Sequence, residues 1–424
     1  MSYKKWVNAE IDKAKASALS EKLNIDAFVA FLLVSRGIDD ELAASEFLSD
    51  GCRFSSPYLL KDMDKAVKRI NRALDDGESI CIYGDYDCDG VTSTALLYTF
   101  LSALGGFVSY YIPNRATDGY GMNFKAIDKI KADGTDLIIT VDNGISSIEE
   151  AEYIYSLGMQ LIVTDHHQIG ENLPRAEAVI NPHREDNEIE FRDFAGVGVA
   201  FKLACALYDG DVEDLLEDYA DYVTIGTIGD MVPLLNENRA IVKSGLKLIN
   251  TDAKIGISAL KKSTNSKAEH FSATDVAFQI CPRINAAGRM DTANLAVDLL
   301  TCEDNEIAEY KAEQLNLENT HRHEVEEKID KDIAEIMAND RAYQTDRVIV
   351  VAGHNYHKGV IGICAAHLVE LYSKPAIVIG IDDEGNATGS ARSIDGFNIF
   401  EAISNCSDCL LYTSDAADDG ESVD

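Results

Sequence analysis

The sequence lacks any apolar run approaching the roughly 18 residues that cross a bilayer, so no membrane-spanning helix is expected. Its start, MSYKKWVNAEIDKAKAS, has no apolar stretch after the lysines and does not read as a secretory signal, so the expected location is the cytoplasm. A cysteine framework is also missing. Nine cysteines are scattered at 52, 81, 88, 205, 281, 302, 364, 406 and 409. Several lie in apolar segments such as SICIY and LACAL, where buried reduced thiols are expected. Cys406 and Cys409 form one CxxC, and a single pair does not complete a zinc site. Basic residues are scarce: 38 Lys and Arg face 73 Asp and Glu, for a formal net charge of −35. That balance excludes broad, non-specific nucleic-acid binding, because phosphates are held by Lys and Arg. It leaves room for a locally basic groove, or for cations in an acidic site. No internal repeat and no low-complexity tract occurs before the extreme C-terminus.

What is present is a globular chain of 424 residues, 46% hydrophobic, with a mean hydropathy of −0.11. That length implies two or more domains. Residues 1–75 read as a helical region, with apolar positions at helical spacing in DAFVAFLLVSRG and AVKRINRAL, and Gly37 and Gly77 as stops. The text then changes. SICIY is a short buried strand, and TSTALLYTFLSALG a helix with Thr92 to Thr94 near its N-terminus. FVSYYIPN, DLIITVDNG, MQLIVTDHH and EAVINP are further strands, separated by amphipathic helices. This alternation predicts an α/β fold with a parallel, doubly wound sheet over 76–240. Residues 241–345 read as helical, apart from an exposed polar loop at 261–275. They end in a long connector helix over 305–340, whose Leu315, Val325, Ile329, Ile333 and Ile336 keep helical spacing or small multiples of it. A smaller α/β unit follows over 346–408, with strands RVIVVAG, KPAIVIGID and ATGSAR and a helix GVIGICAAHLVELY.

Three predicted strands end in metal-type ligands. Asp85, Asp87 and Asp89 follow the first in GDYDCDG, Asp142 follows another in VDNG, and Asp165, His166 and His167 follow the next in TDHHQ. Ligands of open parallel sheets bind at the carboxyl ends of strands, so these groups should meet. One such motif means little, since Asp is common in turns after strands. GDYDCDG also lacks the spacing and closing Glu of a calcium loop. Three ligand-rich strand ends in one sheet are another matter. Packed carboxylates repel unless a cation is present. Mixed Asp and His donors suit Mn²⁺, and Mg²⁺ is plausible on oxygens. Five or more ligands exceed the needs of one ion with an open position and fit a two-metal clamp for phosphoryl displacement. Asp230, after the apolar run in TIGTIGDMVPL, reads as a further ligand.

At this point the residues resemble the DHH phosphoesterase superfamily, named for the Asp-His-His seen here at 165–167. YGDYDCDGVTSTALL, VDNGIS, VTDHH and GDMVPL resemble its first four motifs. The match continues through YIPNRATDGYG, PRINAAGRM, GHNYHKGVIGICAAHL and GSARSIDGFNIFEAI, over roughly 50–408, and is nearest to the single-strand-specific exonucleases of the superfamily. The resemblance implies that Asp85, Asp87, Asp89, Asp142, His166 and Asp230 hold Mn²⁺ or Mg²⁺, with Asp142 bridging two ions. It implies that His167 lies near the scissile phosphate and that Asp165 orients the histidines. It implies hydrolysis of single-stranded DNA from the 5′ end to 5′ mononucleotides, with a single-strand-binding protein and a helicase as possible partners. The second α/β unit resembles the DHH-associated domain, a binder of the phosphate backbone. Gly359 and Gly362 open a helix whose N–H groups can hold a phosphate, with His357 and Lys358 just before it and Ser390 and Arg392 on a nearby strand. Arg115, Arg283, Asn285 and Arg289 are further substrate-binding candidates.

The tail departs from the family. CLLYTSDAADDGESVD, at 409–424, is expected to be non-native or disordered, and the segment that family members carry there would add strand-binding surface. Two other functions stay open: a phosphodiesterase or pyrophosphatase acting on small substrates, and a non-catalytic replication scaffold.

Overall fold

The computed structural model describes residues 11–49, 54–114, 121–290, 292–340 and 342–406. The expectation for 409–424 therefore lies outside the described residues, as does Arg115. Helices α1 (Lys13–Leu23), α2 (Ala27–Ser35) and α3 (Glu41–Leu48) form a small cluster around Leu19, Ala30, Leu33 and Ala44. Each starts at an aspartate, Asp12, Asp26 or Asp40, whose side chain accepts the exposed N–H groups of the first turn. α4 (Met63–Asp76) follows and stops at Gly77, whose φ of 68° a residue with a Cβ would resist.

The central domain then alternates: β1 (Ser79–Tyr83), α5 (Cys88–Ala103), β2 (Phe107–Tyr111), α6 (Phe124–Ala132), β3 (Leu137–Val141), α7 (Ile148–Ser156), β4 (Gln160–Thr164) and β5 (Ala178–Ile180). The five strands are parallel in the order β2-β1-β3-β4-β5. Their near-continuous apolar sequences follow from burial on both faces. Ile80, Ile82, Leu137, Ile139 and Val141 enter the core beneath α4, α5, α8 (Gly196–Leu207) and α9 (Val212–Gly229). Cys81, Tyr83, Ile138, Leu161 and Val163 enter the opposite core, beneath α6 and α7. The chain steps from β1 to β2 on one side, then returns past β1 to β3. The switch point is therefore between β1 and β3, where a crevice opens at the carboxyl ends.

Helices α10 (Asn236–Thr251) and α11 (Ile255–Ser263) come next, then α12 (Ala273–Asp275), a π-helical turn Val276–Ile280, α13 (Cys281–Met290) and α14 (Asn294–Leu300). The long α15 (Asn305–Asn339) and the short α16 (Ala342–Thr345) lead to β6 (Ile349–His354), α17 (Ile361–Tyr372), β7 (Ala376–Ile381), β8 (Ala387–Arg392) and α18 (Ile399–Ser404). β6 and β7 are parallel, and β8 is antiparallel to β7. α15 serves two cores. Ala308, Ala312 and Leu315 pack into the large central one. Ile329, Ile333 and Met337 pack with Ile349, Val351, Cys364 and Val378 of the second sheet domain.

Three expectations need correction. Thr92 to Thr94 do not start α5. The helix begins four residues earlier at Cys88, capped by Asp87, whose Oδ1 accepts Gly90 N–H at 2.9 Å. Thr92 and Thr94 instead turn their hydroxyls back onto the carbonyls of Cys88 and Gly90. The loop expected over 261–275 is shorter, because α11 runs to Ser263 and α12 takes up Ala273–Asp275. The strand expected through FVSYYIPN ends at Tyr111.

Candidate metal centre

Each ligand-bearing turn owes its position to backbone hydrogen bonding. After β3, Asp142 takes a left-handed φ of 60°, and its N–H is held by Thr164 O at 3.1 Å. A non-glycine residue there stores strain of about 1–3 kcal/mol, the kind that concentrates at functional sites. Asn143, fully buried, donates to Tyr83 O and Val141 O and so ties the ends of β1 and β3 together. After β4, Asp165 accepts four hydrogen bonds. Its Oδ1 accepts from His166 N, His167 N and His167 Nδ1 at 2.7, 3.1 and 2.6 Å, and its Oδ2 accepts from Ile145 N at 2.9 Å. Asp165 therefore orients the histidine turn. At the end of β5, Asn181 donates to His167 O at 2.9 Å and fixes the same turn from the other side.

His166 lies among three carboxylates. Its Nε2 is 3.1 Å from Asp142 Oδ1 and 3.7 Å from Asp89 Oδ2, and its Nδ1 is 3.8 Å from Asp230 Oδ2. Donor atoms of Asp85, Asp87 and Asp142 lie within 4.8 Å of one another, as do those of Asp142, His166 and His167 and those of Asp89, His166 and Asp230. All the ligand candidates proposed from the sequence thus converge, with Asp142 and His166 each shared by two groups. Asp89 bridges elements as well, accepting from Gly196 N and Val197 N at 2.5 and 2.8 Å at the start of α8. Asp230 caps the C-terminus of α9, the negative end of its dipole, where an acid is unfavourable without a compensating cation.

The electrostatics describe a site short of positive charge. Burial, then Asp87, pushes Asp89 up to about 7, against the pull of the Val197 and Gly196 amides. Burial and the surrounding aspartates hold Asp142 and Asp230 well above the usual carboxylate range. Burial, then His167, lowers His166 to about 3 and leaves its imidazole neutral, with a lone pair to offer. Burial opposes the charge on His167, but Asp165 outweighs it and raises His167 to about 10. Conversely, His167 overcomes burial and holds Asp165 low. Asp142 Oδ1 is buried and receives no hydrogen bond. A neutral imidazole, crowded carboxylates and an orphaned buried oxygen fit a divalent cation, and the O/N donor set suits Mn²⁺ or Mg²⁺.

The other candidates fall into two places. Asn285 on α13 accepts Cys88 N–H at 2.7 Å and so braces the first aspartate turn. Arg283 is half-buried, donating to Asn316 Oδ1 and Gln279 O between α13 and α15. Arg289 Nη1 donates to Gly359 O at 3.2 Å, which joins α13 to the second sheet domain. There α17 begins at Ile361, so Gly359 precedes the helix, and its N–H is turned onto His357 Nδ1 at 3.2 Å. A Cβ on Gly362 would lie 3.0 Å from both Arg392 Nη2 and Ser390 Oγ, so those side chains cover the start of α17. Lys358 is exposed beside them. The sequence reading missed Asn143, Asn181 and His183. His183 is half-buried, and its pKa is lowered by burial, with smaller contributions from Arg192 and His167. The NPH that ends the fifth strand was the available signal.

A parallel sheet with this ligand set at its switch point, tied by a long helix to a second α/β unit, defines the chain as a DHH-type protein. The DHH family N-terminal domain matches residues 79–227, and the DHHA1 domain matches 345–409. The chain is 42% identical over 96% of its length to the single-stranded-DNA-specific exonuclease RecJ of Bacillus subtilis. It spans 51% of that relative's length, about half of the curated protein it matches. Among solved structures, exonuclease RecJ bound to manganese aligns with a TM-score of 0.72 and 33% identity over 84% of this chain and 89% of that one. RecJ from Thermus thermophilus, in complex with Mn²⁺, aligns with a TM-score of 0.79 and 30% identity over 95% of this chain and 57% of that one. The chain belongs to the RecJ family of DHH phosphoesterases. Among the described residues, no helix is long and apolar enough to cross a membrane.

Proposed function

We propose that the chain is the catalytic core of an exonuclease that degrades single-stranded DNA from the 5′ end to 5′ mononucleotides, with Mn²⁺ or Mg²⁺ at two adjoining positions. The observation that carries this reading is the sharing of Asp142 and His166 between neighbouring ligand groups. One position is served by Asp85, Asp87 and Asp142, the other by Asp89, Asp142, His166 and Asp230. When bound, such ions polarise the phosphoryl oxygens and lower the pKa of water. The chain's own residues do the rest. Asp165 locks His167 Nδ1, so the imidazolium holds a fixed position beside the ligands and can bind a non-bridging phosphate oxygen. Asn181 holds the same turn rigid. Arg289, His357, Lys358, Ser390 and Arg392 gather near the start of α17, where a few cations and backbone amides can follow a phosphate backbone despite the net acidity. A single-strand-binding protein and a helicase are the partners that the family suggests.

The test uses Mn²⁺ and end-labelled single-stranded DNA, duplex DNA, a dinucleotide and pyrophosphate. Mononucleotides released from the single strand are expected. Cleavage of pyrophosphate or the dinucleotide alone would support a small-substrate phosphoesterase instead. No turnover by a folded, metal-loaded chain would support a scaffold.

A further inference from the structure

The turn after β5 runs beside the histidine turn after β4. The two strands are in register with Thr164 opposite Ile180, and neighbouring strands lie about 5 Å apart, so the backbone at His183 comes level with that at His167. One side chain ties the turns together. Asn181 Nδ2 donates to His167 O at 2.9 Å, and Asn181 Oδ1 accepts from His183 N at 2.8 Å. Arg192 reaches the same place from the segment that enters α8. Its Nη1 donates at 3.2 Å to the carbonyl of Arg184, the residue after His183. Four residues past Arg192, Gly196 N begins the pair of amides that hold Asp89. The backbone here is pinned, since Phe194 N donates to Arg192 O at 2.9 Å and Asn238 Nδ2 donates to Asp193 O at 2.6 Å. Arg184 is neutralised by Asp62 and Asp186. Arg192 is not. It is half-buried, and among the described residues its guanidinium forms no ion pair, not even with the adjacent, exposed Asp193. The half-buried His183 ring likewise makes no hydrogen bond or ion pair among them. In a chain with 73 acidic and 38 basic side chains, a guanidinium without a carboxylate at the rim of an acidic crevice is placed to meet an arriving anion.

We propose that Arg192 and His183 form a subsite for the internucleotide phosphate next to the one being cleaved, so that the strand crosses the carboxyl ends of the sheet from the metal centre towards β5. This rests on reading the strand-end cluster as the site of phosphodiester cleavage. Arginine suits the task, because its planar donor fork matches two phosphate oxygens and keeps its charge at any working pH. The bond from Nη1 to Arg184 O fixes the fork and leaves its Nε–Nη2 edge to donate. His183 adds an imidazole N–H. The cations near the start of α17 approach from elsewhere. They are joined to α13, which braces the turn after β1 through Asn285, and β1 and β5 lie on opposite sides of β3 and β4 in the sheet. The two groups thus grip the strand on either side of the ligand cluster. Contacts of this kind fix the register of the strand and carry no base preference.

The experiment uses the full chain, Mn²⁺ and a 5′-phosphorylated single strand with one uncharged methylphosphonate at the linkage next to the one cleaved first. On the wild-type chain the neutral linkage should raise KM by about tenfold or more, the cost of one lost charge-assisted contact, and change kcat far less. Arg192→Ala should raise KM to a similar extent on the natural strand. It should gain little further penalty from the neutral linkage, because both changes remove the same contact. Arg192→Lys should recover part of the loss, and His183→Ala should raise KM by a smaller factor. Mn²⁺ affinity, read by calorimetry, should stay at the wild-type value in all three variants, which separates a lost phosphate contact from a damaged metal centre. Penalties that multiply when the variant meets the neutral linkage would overturn the assignment, as would a wild-type KM indifferent to that linkage. An Arg192→Ala effect that vanishes on a strand with a 5′ hydroxyl would overturn it too, by placing the terminal phosphate there instead. A wild-type chain that cleaves no single strand at all would overturn the nuclease reading itself, and this subsite with it.

Discussion

At the scale of single residues, the strand-end cluster holds two adjacent imidazoles in opposite states. His166 stays neutral because it is buried beside a positive neighbour, and that neighbour, His167, stays charged because Asp165 holds it. Asp165 is committed to the turn rather than to the acidic cluster, with three donors on Oδ1 and one on Oδ2. Asp165→Asn should therefore lower kcat by roughly 10- to 100-fold while Mn²⁺ affinity changes little. Metal titration calorimetry beside steady-state kinetics checks this, and a parallel collapse of metal binding would refute the positioning role. The same charges set a pH dependence. Asp89, near 7, and His167, near 10, both bind protons more tightly in the folded chain than in the unfolded one. The folded state therefore holds the extra protons, and stability falls as pH rises through those values. The low pKa of His166 acts in the opposite sense, but only below its ordinary value. Metal-free protein should lose thermal stability steadily from about pH 6.5 to 8.5. Mn²⁺ should flatten that slope, because the cation replaces the protons. Melting curves with and without metal decide it, and a flat metal-free profile would contradict the charge balance described here.

At the scale of elements, helices approach the ligand turns closely because glycines let them. A Cβ on Gly196 would fall 2.6 Å from Asp142 Cβ and 2.7 Å from its Oδ1. A Cβ on Gly226 would fall 2.9 Å from Asp89 Oδ1. α8 and α9 thus press their backbones against the carboxylates they help to position. Gly196→Ala should keep the fold but displace Asp142 and weaken Mn²⁺ binding by about 10- to 100-fold, read by calorimetry. Unchanged affinity would mean that Asp142 has room to move. This layer was only partly legible in the sequence. β1 was read residue for residue, because five apolar-rich positions run straight into Gly84 and a cluster of aspartates. α5 was started too late. GDYDCDG was read only as the segment that follows the first strand, yet Asp87 caps a helix that already contains Asp89. α13 carried no strong helical pattern, since Pro282, the half-buried Arg283 and Arg289, and the small Ala286, Ala287 and Gly288 give little amphipathic contrast. Its bracing contact, from Asn285 to Cys88, spans 197 residues, and no local pattern encodes that pairing.

At the scale of the whole molecule, α15 links the strand-end cluster to the second sheet domain. Its first half shares the central core through Leu315, and its second half shares the core of the second domain through Ile329 and Ile333. The sequence showed this 35-residue helix, because apolar positions recur at helical spacing or small multiples of it from Leu315 to Ile336. It did not show that the stripe changes partners midway. The strand-end ligands all come from the central domain, whereas the cations near the start of α17 come chiefly from the second. Breaking the helix between its two anchors should therefore separate catalysis from grip. His321 is exposed in that middle stretch. Proline there removes one backbone hydrogen bond and clashes with the preceding turn, a cost of about 3 kcal/mol within a helix. His321→Pro should leave Mn²⁺ binding and cleavage of a dinucleotide close to wild type. It should raise KM for long single strands far more than it lowers kcat, and His321→Ala should do neither. Equal loss on both substrates would show that the two domains do not divide the work in this way, and that α15 instead maintains the ligand geometry itself.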